Sequence, residues 1–125
     1  MKLTEDQTWA LYGKEANERD YKLSIEGETI IAYKRRGHRE VFIDLPMPLT
    51  SGVVKVTLVA NLRNQETLEQ LMDTLKAHCR SLNQLVEKYS SKFVNKGDEV
   101  EQNYEVPINS REDIVNLLRE FNFSK

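Results

Sequence analysis

The densest run of chemistry-bearing side chains is Lys34-Arg35-Arg36-Gly37-His38-Arg39, four permanent cations and a histidine around one glycine. A guanidinium group presents a fixed fork of donors, so a turn carrying several of them can hold phosphate oxygens. Tyr33 and Phe42 flank the run and would stack on bases if they face outward. Lys34, Arg35, Arg36, His38 and Arg39 are therefore the candidate phosphate or nucleic-acid contacts. The competing reading is a solvated hairpin tip, or an edge protected by positive charge. The whole chain has a formal charge of −2, so setting aside the turn's four positive charges leaves −6 on the remainder. No second basic patch extends the signal, and a near-balanced chain has no general attraction to nucleic acid or to an anionic membrane.

Other chemistry is sparse. His78 and Cys79 are neighbours in a stretch that reads as helix, where successive side chains point about 100° apart. They do not face each other as a base and a nucleophile must. His38 and His78 with the single Cys79 cannot supply a structural zinc site without carboxylates. The acidic stretch Asp98, Glu99, Glu101 and Glu105 lacks the ligand alternation and the glycine of a calcium loop. It reads as a solvated loop that could pair with the basic turn of a second copy. Gly13, Gly27, Gly37, Gly52 and Gly97 stand singly, so no phosphate-cradling glycine loop is present. No catalytic residue, metal site or cofactor is expected, and the chain reads as non-enzymatic.

The elements that would position these groups follow from periodicity. Residues 4–17 read as a helix capped by Thr4, with Gln7 as its capping-box partner. From Tyr21 to Leu45 the apolar period is two, interrupted at Glu26-Gly27 and Arg36-Gly37-His38, which predicts a three-strand antiparallel meander. Pro46-Met47-Pro48 ends the third strand. Val53 to Ala60 is apolar at both parities, the pattern of a central strand or one covered on both sides.

Residues 65–94 read as one long helix. The series 68, 71, 75, 78, 82, 85, 89 steps by three and four alternately, a heptad seam broken by His78. About 30 residues at 1.5 Å each span about 45 Å. Four or five strands at about 4.8 Å cover about 20–24 Å. Part of the stripe is thus left without a partner inside one copy, which makes Leu68, Leu71, Leu75, Leu82, Leu85 and Tyr89 the candidate self-association residues. Gly97 stops the helix, 98–102 reads as loop, and Tyr104 to Ile108 as a short strand that Pro107 places at an edge. Ser110 and Asp113 then cap a last helix whose apolar face is Ile114, Val115, Leu117, Leu118 and Phe121.

The expected fold is a single α+β domain over 1–125. An antiparallel sheet of four to five strands is covered by one long helix, with shorter N- and C-terminal helices, in the order α-β-β-β-β-α-β-α. With 125 residues, 39% of them apolar, the chain can bury one core without disulfides. The single cysteine, the polar N-terminal residues and the absence of a long apolar window predict a cytoplasmic protein with no membrane span. The expected function is a non-enzymatic protein-interaction module that forms a homodimer and accepts another protein. The alternative is a nucleic-acid-binding protein that uses the turn at 34–39. The small size, mildly acidic character and α-β-β-β order are similar in architecture to small bacterial secretion chaperones. That resemblance rests on no motif and implies a dimer with an exposed apolar surface.

Overall fold

A computed structural model describes residues 2–37, 39–61, 91–96 and 99–121. The order is α1 (Glu5–Glu18), β1 (Lys22–Glu26), β2 (Thr29–Arg36), β3 (Arg39–Pro46), β4 (Gly52–Asn61), β5 (Ser91–Lys96), β6 (Glu99–Ile108) and α2 (Arg111–Glu120). The six strands form one antiparallel sheet in the order β1-β2-β3-β4-β6-β5.

The expected helix starts are present with their caps. Thr4 Oγ1 accepts from the Gln7 backbone N–H at 3.1 Å, and Gln7 Oε1 accepts from the Thr4 N–H at 3.0 Å. The same reciprocal pair joins Ser110 and Asp113 at the start of α2. Each cap satisfies donors that the first helical turn leaves without partners.

Strand alternation decides where the core lies. Ile30 and Ala32 of β2, Val41, Ile43 and Leu45 of β3, Val54, Val56 and Leu58 of β4, and Tyr104, Val106 and Ile108 of β6 are buried at one parity. Leu11, Tyr12 and Ala16 of α1 join the same cluster with Ile114, Val115, Leu117 and Leu118 of α2 and Phe121 just beyond it. Both helices therefore cover one face of the sheet. Their attachment is also polar: Tyr12 donates its hydroxyl proton to the Pro46 carbonyl, and Tyr21 Oη donates to the Leu118 carbonyl at 2.9 Å. Thr8, fully buried, donates to the Thr4 carbonyl at 2.7 Å and accepts from the Leu49 N–H at 3.0 Å. The segment after β3, with a cis Met47–Pro48 bond, then leads to a bridge between Thr50 and Lys2.

The meander and the central place of β4 match the expectation, since β3 and β6 flank it. Four expectations need correction. The described sheet has six strands rather than four to five, because residues 91–96 add β5. Residues 91–94 are not the end of a helix but part of β5, and the remainder of the expected helix, 65–90, lies outside the described residues. The helices that cover the sheet among the described residues are α1 and α2. Residues 99–102 are not a loop: Glu99 and Glu101 are alternate positions of β6, opposite Asn61 and Val59. Finally, β6 is not an edge strand, because β4 and β5 flank it. Pro107 fits there because β5 ends opposite Tyr104, so past that point the side of β6 away from β4 has no described ladder to which an N–H would donate.

Candidate interaction surface

The register divides the basic turn between the two faces of the sheet. Cross-strand partners share a face, and the face alternates along each strand. Lys34 stands opposite Val41, on the helix-covered side. Its ammonium donates to the Phe121 carbonyl at 3.1 Å and lies 5.1 Å from the centroid of the Tyr21 ring. That is the end of α2, where carbonyls lack helical partners and the dipole favours a cation. Arg39 pairs with Ala60 at the same parity, and its side chain is half-buried. Arg35 stands opposite Glu40 on the other face, where it is exposed and its Nε donates to the Gly37 carbonyl at 3.2 Å. The Arg36 backbone pairs with Arg39, and His38 lies outside the described residues. The turn thus does not bring Lys34 and Arg35 to one place.

The face opposite the helices carries the second group of candidates. One row runs across five strands through Lys22, Tyr33, Phe42, Thr57 and Asn103. Tyr33 and Phe42 are half-buried in it, with ring centroids 4.9 Å apart at an interplanar angle of 47°. Such offset geometry is favourable for two aromatic quadrupoles. The Tyr33 hydroxyl donates to Glu40 Oε2 at 2.6 Å, and acceptance by that carboxylate holds the phenol above its ordinary pKa. Thr57 Oγ1 donates to Asn103 Oδ1 at 2.9 Å in the same row. Ile31 is half-buried between Ser24 and Asp44, and Val53 is 64% exposed.

The charge on this face is mixed and nearly balanced. By register, Lys22, Arg35, Lys55, Lys92 and Lys96 share it with Glu26, Glu40, Asp44, Glu99, Glu101 and Glu105. Such a face has no general attraction to a polyanion, whereas its alternating signs can match a mixed-charge polypeptide. The row through Tyr33 and Phe42 was legible in their flanking positions. Glu99 and Glu101 were hidden because their part of β6 read as loop.

Among the described residues no group of three or more His, Cys, Asp or Glu side chains is placed to hold a metal ion. His78, Cys79 and the seam residues Leu68, Leu71, Leu75, Leu82, Leu85 and Tyr89 lie outside them. No helix of the described structure is long and apolar enough to cross a membrane. No family model, curated protein or solved structure matches the chain.

Proposed function

We propose that the chain is a non-enzymatic protein-interaction module that self-associates and offers a surface to another polypeptide. The observation that carries this reading is the one-sided sheet: both described helices cover one face, while Ile31, Tyr33, Phe42 and Val53 occupy the other. Apolar side chains set among charged ones in this way suit a protein partner. The heptad seam at Leu68, Leu71, Leu75, Leu82, Leu85 and Tyr89 belongs to the same proposal as a surface for a second copy. Light scattering on a sizing column tests it. A mass near twice 14.6 kDa at both low and high salt supports an apolar self-association surface, and a monomer at both sinks it.

A second reading has one observation behind it. Arg35 shares its face with the Tyr33–Phe42 pair, so a guanidinium stands near two rings on which bases could stack. Fluorescence anisotropy with a labelled single-stranded oligonucleotide decides between them. Binding that weakens as salt rises and disappears in Arg35→Ala would favour nucleic acid.

A further inference from the structure

The first strand is an exposed edge of the sheet. β1 ends the sheet on one side, and no described element pairs with its outer edge. Lys22, Ser24, Ile25 and Glu26 are all exposed and Leu23 is half-buried. Ile25 is 68% exposed although it stands opposite the fully packed Ile30, on the helix-covered face. Monomeric proteins usually guard such an edge with proline, a bulge or an inward charge. β1 has none of these; its charges, Lys22 and Glu26, stand at the other parity, and both residues of its helix-side parity, Leu23 and Ile25, are apolar.

The hairpin fixes which backbone groups of β1 point outward. Glu26 pairs with Thr29 across Gly27 and Glu28, and Gly27 has φ 63° while Glu28 is not among the positive-φ residues. That is a two-residue turn of type II′, closed by a hydrogen bond between the residues that flank it. Counting back along an antiparallel ladder, Glu26, Ser24 and Lys22 direct their N–H and C=O groups toward β2, and Ile25 and Leu23 direct theirs away. A second strand joining this edge must bond to Leu23 and Ile25.

We infer that β1 pairs with β1 of a second copy, antiparallel about a two-fold axis at Ser24. The five residues Lys-Leu-Ser-Ile-Glu are complementary to themselves when reversed. In this register Leu23 bonds to the partner's Ile25 and Ile25 to the partner's Leu23. Lys22 faces the partner's Glu26 on one side of the axis, and Glu26 faces the partner's Lys22 on the other. Leu23 and the partner's Ile25 then meet on the helix-side face and cover the exposed isoleucine. The two other registers that satisfy the outward groups are poorer. An axis at Leu23 sets Glu26 against the partner's Asp20, a like-charge pair. An axis at Ile25 sets Glu26 against the partner's Ser24, and its one opposite-charge partner for Lys22, Glu28, lies in the turn outside the strand, where no ladder holds it. Opposite charges directly across a ladder favour the first register and like charges oppose the second. A two-fold contact of this kind closes on itself, so the two sheets become one, with six described strands from each copy.

This contact shares with the proposed function the expectation of self-association, but it uses a surface other than the seam. Five residues a side make a small interface, so the dimer belongs to the weak class. The test is sedimentation velocity on the full chain from about 10 μM to about 1 mM, the range suited to a contact of that class. The expected result is a concentration-dependent dimer. Lys22→Glu should weaken it about tenfold by placing two carboxylates opposite each other on both sides of the axis. The exchanged variant Lys22→Glu with Glu26→Lys should restore it. Ile25→Pro should abolish it, because proline removes an outward N–H to which no described strand bonds, and circular dichroism should show the fold retained. Leu75→Asp, in the seam, should leave it unchanged. A dimer indifferent to Lys22→Glu and Ile25→Pro overturns the β1 contact and leaves self-association standing elsewhere. Failure of the exchanged variant to recover overturns the register and with it the proposal. A monomer throughout overturns both this contact and the self-association reading.

Discussion

Lys34 and Phe121 are joined across the end of the molecule: the lysine ammonium donates to the phenylalanine carbonyl at 3.1 Å while it lies over the Tyr21 ring. Tyr21 in turn donates to Leu118, one turn of chain earlier. A residue that reads as a phosphate contact thus ties β2 to the end of α2, next to the loop that leads from α1 into β1. Its neighbour Arg35, one position on, points to the opposite face.

The first prediction separates these two cations. Lys34→Met keeps most of the aliphatic stem but removes the charge and the hydrogen bond. It should cost about 1–3 kcal/mol, the range for a bond to a charged group in a partly buried setting. Arg35→Ala, on an exposed position, should stay within about 0.5 kcal/mol. Urea unfolding followed by circular dichroism measures both, and equal effects would contradict the division of the turn between two faces.

The meander, both capped helices and the central place of β4 were legible in the sequence because each had a local cause. Period-two alternation marks Tyr21 to Leu45, and Thr4 with Gln7 or Ser110 with Asp113 is a complete cap within four residues. β5 and the first half of β6 were not read, for an equally local reason. The three-four spacing ending at Tyr89 invites extension through Phe93, and Gly97 looks like a helix stop. Yet Lys96 of β5 pairs with Glu99 of β6, on either side of the dipeptide Gly97-Asp98 in the sequence. That dipeptide, with Glu99 and Glu101 alternating beyond it, was the available signal. The division of the basic turn was not legible, because a turn's sequence does not state which parity of its strands faces the helices.

The second prediction concerns that parity. Ile43 is fully buried on β3 and Val53 is 64% exposed on β4, both apolar and both in strands. Ile43→Ala should destabilise by about 2–5 kcal/mol through lost burial and the cavity it leaves. Val53→Thr keeps the branched shape at an exposed position and should change stability by no more than about 0.5 kcal/mol. Thermal unfolding of the two variants checks the assignment of faces.

The third prediction tests the caps as independent units. Thr4→Ala and Ser110→Ala each remove an acceptor for an N–H of the first turn. Each should cost about 1 kcal/mol. The caps belong to different helices, at opposite ends of the chain, and share no hydrogen-bond partner, so the double variant should lose about 2 kcal/mol, the sum within the usual error of additivity. A double variant no worse than either single one would show that one helix contributes nothing to the cooperative unit.

The fourth prediction follows from Tyr12. Its ring is fully buried under β3, its hydroxyl donates to the Pro46 carbonyl, and burial raises the phenol above its ordinary pKa. An acid whose folded pKa is raised keeps its proton in the native state while the unfolded chain releases it. The stabilising contribution is therefore complete below the unfolded value near 10 and is lost as pH rises from there toward the folded value. One such group can remove up to about 1.4 kcal/mol for each pH unit in that window. Tyr12→Phe lacks the ionisable group but also lacks the bond to Pro46, so it should be less stable at neutral pH and fall less steeply above pH 10. Urea midpoints measured between about pH 8 and about pH 11, spanning the ordinary tyrosine pKa, give the two slopes. The comparison is informative because the other tyrosines are common to both proteins, and their titration cancels in the difference. Parallel curves would mean that the Tyr12 hydroxyl reaches water in the native state and that α1 is not sealed against the end of β3.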